Sequence, residues 1–148
     1  MLVTTDIAAS PARVWEILTD LDGSPRRLSA IEAVERLDGG GPLTVGTRWK
    51  ETRRMFGQSA TEEMEIVAMD APRSYTVGAE SGGAVYRTVM AVDPIGEGRS
   101  RLSMSFDATP TGRVAAIASK VMSPLMSRSM RKALARDLAD IKAAAESV

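Results

Sequence analysis

Thr111–Val148, TGRVAAIASKVMSPLMSRSMRKALARDLADIKAAAESV, is the stretch whose reading decides the fold. Val114, Ile117, Val121 and Leu125 fall at steps of three and four, the spacing that keeps side chains on one face of a helix. Met126, Met130, Leu134, Leu138, Ile141 and Ala145 carry the stripe on, displaced by one position. The displacement falls at Ser123-Pro124. Proline removes a backbone donor and clashes with the preceding turn, so a kink or break is expected there. Unbroken, a helix of this length spans about 55 Å at 1.5 Å per residue, more than the width of a domain this size. It must bend, or lie diagonally across something broad.

The residues before it supply that surface. Leu2 to Ala8 alternates as a short strand. Ser10-Pro11 opens a helix, since Ser caps well and Pro suits the first helical position. Val14, Trp15, Ile17, Leu18 and Leu21 form its buried side, and a helical turn to Leu28 follows. Six further strands read as Ile31–Asp38, Thr47–Phe56, Thr61–Met69, Ser74–Glu80, Val85–Val92 and Arg101–Ala108. Gly39-Gly40-Gly41-Pro42, Gly57-Gln58, Asp70-Ala71-Pro72-Arg73, Gly82-Gly83 and Asp93–Gly98 are the turns between them, recurring roughly every dozen residues as in an antiparallel meander. The order is one strand, two short helices, about six strands and a long helix. That order is α+β: a curved antiparallel sheet of six to seven strands wrapped around the C-terminal helix, in one domain over residues 1–148. A twisted sheet gripping a long helix encloses space between them.

Composition removes several chemistries. The 148 residues hold no histidine and no cysteine. Ser-His-Asp triads, Cys-His dyads, His-ligated metals and zinc-thiolate sites are therefore out. Lys plus Arg number 19 and Asp plus Glu number 19. Zero net charge removes the electrostatic case for nucleic acid as a partner. With 44% hydrophobic and 26% charged residues the chain has globular composition rather than that of a disordered segment. Met1-Leu2-Val3-Thr4-Thr5-Asp6 lacks the regions of a signal peptide, and no apolar run is long enough to span a bilayer. A cytoplasmic protein without a transmembrane segment is expected.

Alternation assigns the strand faces. In the second long strand Trp49, Glu51, Arg53 and Met55 share one face, and the two large apolar residues mark it as inward. Glu62 and Met64 share a face in the next. Tyr75, then Tyr86, Thr88 and Met90, then Met104 and Phe106 follow on later strands. Arg53 between the carboxylates of Glu51 and Glu62 answers the need of a buried charge for a partner. Such a cluster orients a ligand, or supplies a carboxylate of raised pKa for acid–base work; as a structural bridge it would do neither. Met55, Met64, Met90, Met104, Met122, Met126 and Met130 all fall at inward positions. Methionine adapts to varied apolar shapes, as core filler or as pocket lining. Glu62, Glu63 and Glu65 alternate in direction, so no metal site is expected. Arg128, Arg131, Lys132 and Arg136 read as a solvated face paired with Asp137, Asp140 and Glu146. Val114 to Met126 is apolar around much of its circumference, which suits a ligand, a membrane or the partner of a homodimer.

Certain residues also carry a resemblance. Ile7-Ala8-Ala9-Ser10-Pro11-Ala12-Arg13-Val14-Trp15-Glu16-Ile17-Leu18-Thr19-Asp20, Val45-Gly46-Thr47-Arg48 and Asp70-Ala71-Pro72-Arg73-Ser74-Tyr75 resemble the opening helix, a strand start and a turn of the START-like, or SRPBCC, superfamily. The polyketide cyclase/dehydrase and lipid transport branch is the most similar in character. The resemblance covers essentially the whole chain and implies the helix-grip fold. Iron-binding branches of the superfamily have no counterpart here, because there is no histidine. The resemblance implies binding, or transport, of a small hydrophobic lipid or polyketide-like ligand with no cofactor and no metal. The candidate lining is Trp49, Glu51, Arg53, Met55, Glu62, Met64, Tyr75, Tyr86, Thr88, Met90, Met104, Phe106, Val121, Met122, Leu125 and Met126. The alternatives are a metal-free cyclase/dehydratase-like enzyme using the same Arg and Glu residues, and a protein-interaction module with a filled core.

Overall fold

The computed structural model describes residues 1–55, 57–81, 83–111 and 124–147. Its elements are β1 (Leu2–Ile7), α1 (Pro11–Thr19), a single 3-10 turn (Leu21–Gly23), α2 (Ser24–Arg27), β2 (Ile31–Arg36), β3 (Arg48–Met55), β4 (Gln58–Asp70), β5 (Ser74–Ser81), β6 (Ala84–Gly96), β7 (Arg99–Pro110) and α3 (Pro124–Glu146). α1 begins where its cap residues dictate. Ser10 is extended and its Oγ accepts a hydrogen bond from the Arg13 N–H at 3.2 Å, while Pro11 takes the first helical position.

The seven strands form one sheet in the order β1-β7-β6-β5-β4-β3-β2, each pair antiparallel. β1 and β2 are consecutive in sequence yet lie at opposite edges. The connection through α1 and α2 therefore has to travel the full width of the sheet, and α3 is laid against β1, β7, α1 and α2. The curved sheet closed upon this long helix is the helix-grip fold.

Two buried clusters result. The larger joins α1, β6, β7 and α3 through Ile7, Val14, Ile17, Leu18, Met90, Val92, Leu102, Met104, Leu134, Leu138, Ile141 and Ala145. The smaller gathers Leu21, Leu43, Trp49 and Ile66 at the other half of the sheet. Trp15 is only partly buried and meets Tyr75 edge-on, ring centroids 5.9 Å apart.

Several element bounds differ from the sequence expectation. β4 starts at Gln58, and β6 runs through Pro94 to Gly96 where a turn was expected. Proline fits there because the ladder shifts register between Pro94 and Gly96, a bulge that does not need its missing N–H. Gly39, Gly40 and Gly41 do form the expected turn, with φ of 80°, 102° and 93°, a region that only glycine occupies without strain. The C-terminal helix is described from Pro124 onward; the expected helical stretch before it, with its break at Ser123-Pro124, lies outside the described residues. No helix among the described residues is long and apolar enough to cross a membrane.

The charged face of α3 is also rearranged relative to expectation. Asp137 turns inward and is 1% exposed. Asp140 accepts from the N–H and hydroxyl of Ser29, both at 2.9 Å. Arg131 donates to the Leu2 carbonyl, and Glu146 pairs with Lys142 rather than with the basic run. Backbone groups of Ser29, Leu2 and Ala8 help take up Asp140, Arg131 and Glu146.

Leu138 is fully buried at the centre of the larger cluster. Leu138→Ala leaves a cavity there and is expected to cost about 2–5 kcal/mol. Urea unfolding of the two proteins measures it; a cost under ~1 kcal/mol would place α3 outside the cooperative core.

Candidate functional site

Alternation on five strands and the inward stripe of α3 leave a cavity of about 480 Å³ between sheet and helix. β3 contributes Trp49, Glu51, Arg53 and Met55; β4 contributes Glu62 and Met64; β5 contributes Tyr75, Val77 and Ala79. Tyr86, Thr88 and Met90 come from β6, Met104 and Phe106 from β7, and Met130, Ala133, Leu134, Asp137 and Ile141 from α3. Members of both buried clusters line it, so the cavity separates two packed regions. At one end its wall is made by Gln58, Ser59 and Ala60, all exposed.

Of the four expected lining positions on the last helix, one falls elsewhere. Leu125 is 71% exposed and is not part of the wall. It sits one residue after the helix start at Pro124, a full turn before the first inward residue, Met130. Val121, Met122 and the side chain of Met126 lie outside the described residues.

The polar part of the wall is built around Arg53. Its Nη1 donates to Asp137 Oδ2 at 2.7 Å and its Nε to Glu51 Oε2 at 3.3 Å. The other oxygen of Glu51 accepts from the Trp49 indole at 3.4 Å. Glu62 was expected as the second partner of Arg53, but Asp137 takes that place. Glu62 is directly opposite Glu51 in the β3–β4 register, whereas Arg53 is opposite Ala60, so the guanidinium turns toward α3 instead. Asp137 Oδ1 is buried with no hydrogen-bond partner among the described residues.

Burial works against the charge of Arg53, but Asp137 and then Glu51 outweigh it and raise its pKa. Burial raises Asp137 above the ordinary aspartate value; Arg53 lowers it, and Glu51 and Asp140 raise it further. Burial, then the nearby Glu51 charge, push the Tyr75 phenol up, so it remains a donor and its hydroxyl lies 3.4 Å from the Leu18 carbonyl. Tyr86 and Phe106 stack at 5.7 Å and give the wall an aromatic face.

Asp137 is the cavity-wall residue that the sequence reading misplaced. It stands three residues after Leu134 and four before Ile141, within the apolar stripe. A carboxylate at that spacing is the signal that could have found it.

A curved antiparallel sheet gripping one long helix around a mostly apolar cavity with a buried polar cluster defines a START-like, helix-grip protein. Residues 2–146 match the family described as "Polyketide cyclase / dehydrase and lipid transport", and the chain belongs to that family. Zhui aromatase/cyclase from Streptomyces sp. R1128 is similar in structure, with TM-score 0.80 and 18% identity over 99% of this chain and 92% of that one. So are major latex-like protein 151 from Panax ginseng (0.78, 19%, 99% and 97%) and a START superfamily protein from Mycobacterium smegmatis (0.77, 14%, 99% and 96%). Identities this low establish the shared fold. No curated protein matches the sequence.

Asp137 and the surface carboxylates answer pH in opposite senses. With its folded pKa raised above 3.8, Asp137 stabilises the fold most below that value and loses the contribution as pH rises through the raised pKa. Asp38, lowered to about 2 chiefly by its hydrogen bond from Arg36, contributes above 3.8 and loses it on acidification. Urea unfolding from pH 4 to 7 should show the protein losing ground to its Asp137→Asn variant as pH rises. A constant difference between the two would mean that Asp137 is not perturbed by burial.

Proposed function

We propose that the cavity binds and carries one small hydrophobic molecule, a lipid or polyketide-like compound. One observation carries this: a cavity of about 480 Å³ with a mostly apolar wall, within the range of ligand pockets. Apolar burial supplies affinity there, at roughly 25 cal/mol per Å². The five methionines of the wall, Met55, Met64, Met90, Met104 and Met130, let it adapt to the bound shape. Arg53, Glu51 and Asp137 give the occupant a fixed polar end. Membership of a family described as including lipid transport supports the reading.

A second reading is favoured by the polar cluster itself. Two carboxylates converge on one guanidinium inside the cavity, within hydrogen-bonding reach. Arg53 Nη2 makes no bond among the described residues, so it is free to polarise a carbonyl oxygen while Glu51 or Asp137 takes or returns a proton. That is cyclase/dehydratase-like chemistry, the activity that the name of one similar structure also carries. Under this reading Glu51→Gln lowers turnover of a poly-β-carbonyl substrate by about 10²-fold or more. Unchanged turnover would leave carriage alone.

Native mass spectrometry of freshly purified protein, followed by organic extraction, reports any occupant. Titration with Nile red, a neutral solvatochromic dye, tests the cavity directly. Ala133 faces it from α3, and Ala133→Phe fills part of the space. The variant is expected to bind the dye at least tenfold more weakly while keeping its circular dichroism spectrum. Equal binding by both proteins would place the dye, and the function, elsewhere.

A further inference from the structure

The charges of the cavity do not balance. Among the described lining residues Glu51, Glu62 and Asp137 face a single guanidinium, Arg53. Three carboxylates against one cation leave a formal charge of minus two. The three acceptors also differ in what they have left to offer. Both oxygens of Glu51 are engaged, by Trp49 and by Arg53. Asp137 has Oδ2 on Arg53, and Oδ1, though unpaired among the described residues, is buried out of an occupant's reach. Its side chain is only 2% exposed and stands in the cavity wall. Glu62 forms no ion pair among the described residues.

A cationic nitrogen from the occupant offsets the excess negative charge beside Glu62. A carboxylate-headed occupant does the reverse, adding a fourth negative charge to a site of low dielectric. A metal ion is not the answer: no group of three acidic side chains among the described residues is placed to hold one. The stacked Tyr86 and Phe106 rings in the same wall present the kind of surface on which an organic cation rests.

Resting on the reading of this cavity as a ligand site, we propose that its occupant is a hydrophobic amine. It has an apolar body in the methionine- and aromatic-lined space and one protonated nitrogen that pairs with Glu62. The proposal narrows the lipid or polyketide-like class to members with a cationic head, and it excludes free fatty acids as preferred occupants.

Three compounds with one body separate the heads: 2-(1-naphthyl)ethylamine, 2-(1-naphthyl)ethanol and 1-naphthylacetate. Each is titrated into the purified protein against bound Nile red. The amine is expected to displace the dye at least tenfold more effectively than the carboxylate, with the alcohol between them. Glu62→Gln, which breaks no ion pair seen in the fold, is expected to cut the amine-to-carboxylate ratio several-fold. Dye binding with equal displacement by all three, stronger displacement by the carboxylate, or none by the amine overturns the cationic head and leaves the cavity reading standing. Failure of the dye itself to bind overturns the cavity reading, and the head preference with it.

Discussion

The hydrogen-bonded ion pair between Arg53 and Asp137 joins positions 84 residues apart and crosses the interior from β3 to α3. α3 packs mainly against β1 and α1, at the other side of the sheet. The pair thus ties the helix to β3. Buried ion pairs return little net stability, because desolvation consumes most of the attraction. They do penalise wrong arrangements. Turning α3 by one residue, about 100°, would carry Asp137 away and strand a guanidinium in an apolar cavity. The pair specifies the rotation of the helix more than it stabilises it.

That division of labour explains how the domain keeps a hollow. Stability resides in the dense cluster of α1, β6, β7 and α3 around Leu138, with Leu21, Leu43, Trp49 and Ile66 closing the far half. The space between them is bridged by polar contacts rather than filled. Glu51 is held by both Trp49 and Arg53, so the polar end of the cavity is itself anchored to the smaller cluster. The cavity thus has a polar end fixed by hydrogen bonds and a wall rich in flexible methionines.

Much of this was legible in the sequence. Period-two alternation put Trp49, Glu51, Arg53 and Met55 on one face, and β3 carries all four into the cavity wall. The Ser10-Pro11 signal located α1 through local chemistry alone. The rest depends on tertiary context. Asp137 sits in a basic run and so read as solvated, while its distant partner could not be seen. The choice of Asp137 over Glu62 follows from strand register, which places Ala60 opposite Arg53. The extension of β6 past Pro94 depends on a bulge that only pairing with β7 creates. Leu125 kept the helical spacing but fell within the first turn of α3, beyond the reach of the sheet.

The first strand and the last helix clasp one another. The Ala8 N–H donates to Glu146, 138 residues away, and Lys142 to the Asp6 carbonyl, 136 residues away. β1 has its strand partner in β7 and lies at the sheet edge, so nothing made early in synthesis can complete it. On the ribosome the meander from β2 to β7 can pair strand by strand as it emerges, while β1 and α1 wait with apolar faces uncovered. The domain closes only when α3 leaves the exit tunnel, a non-local closure that slows folding by topology.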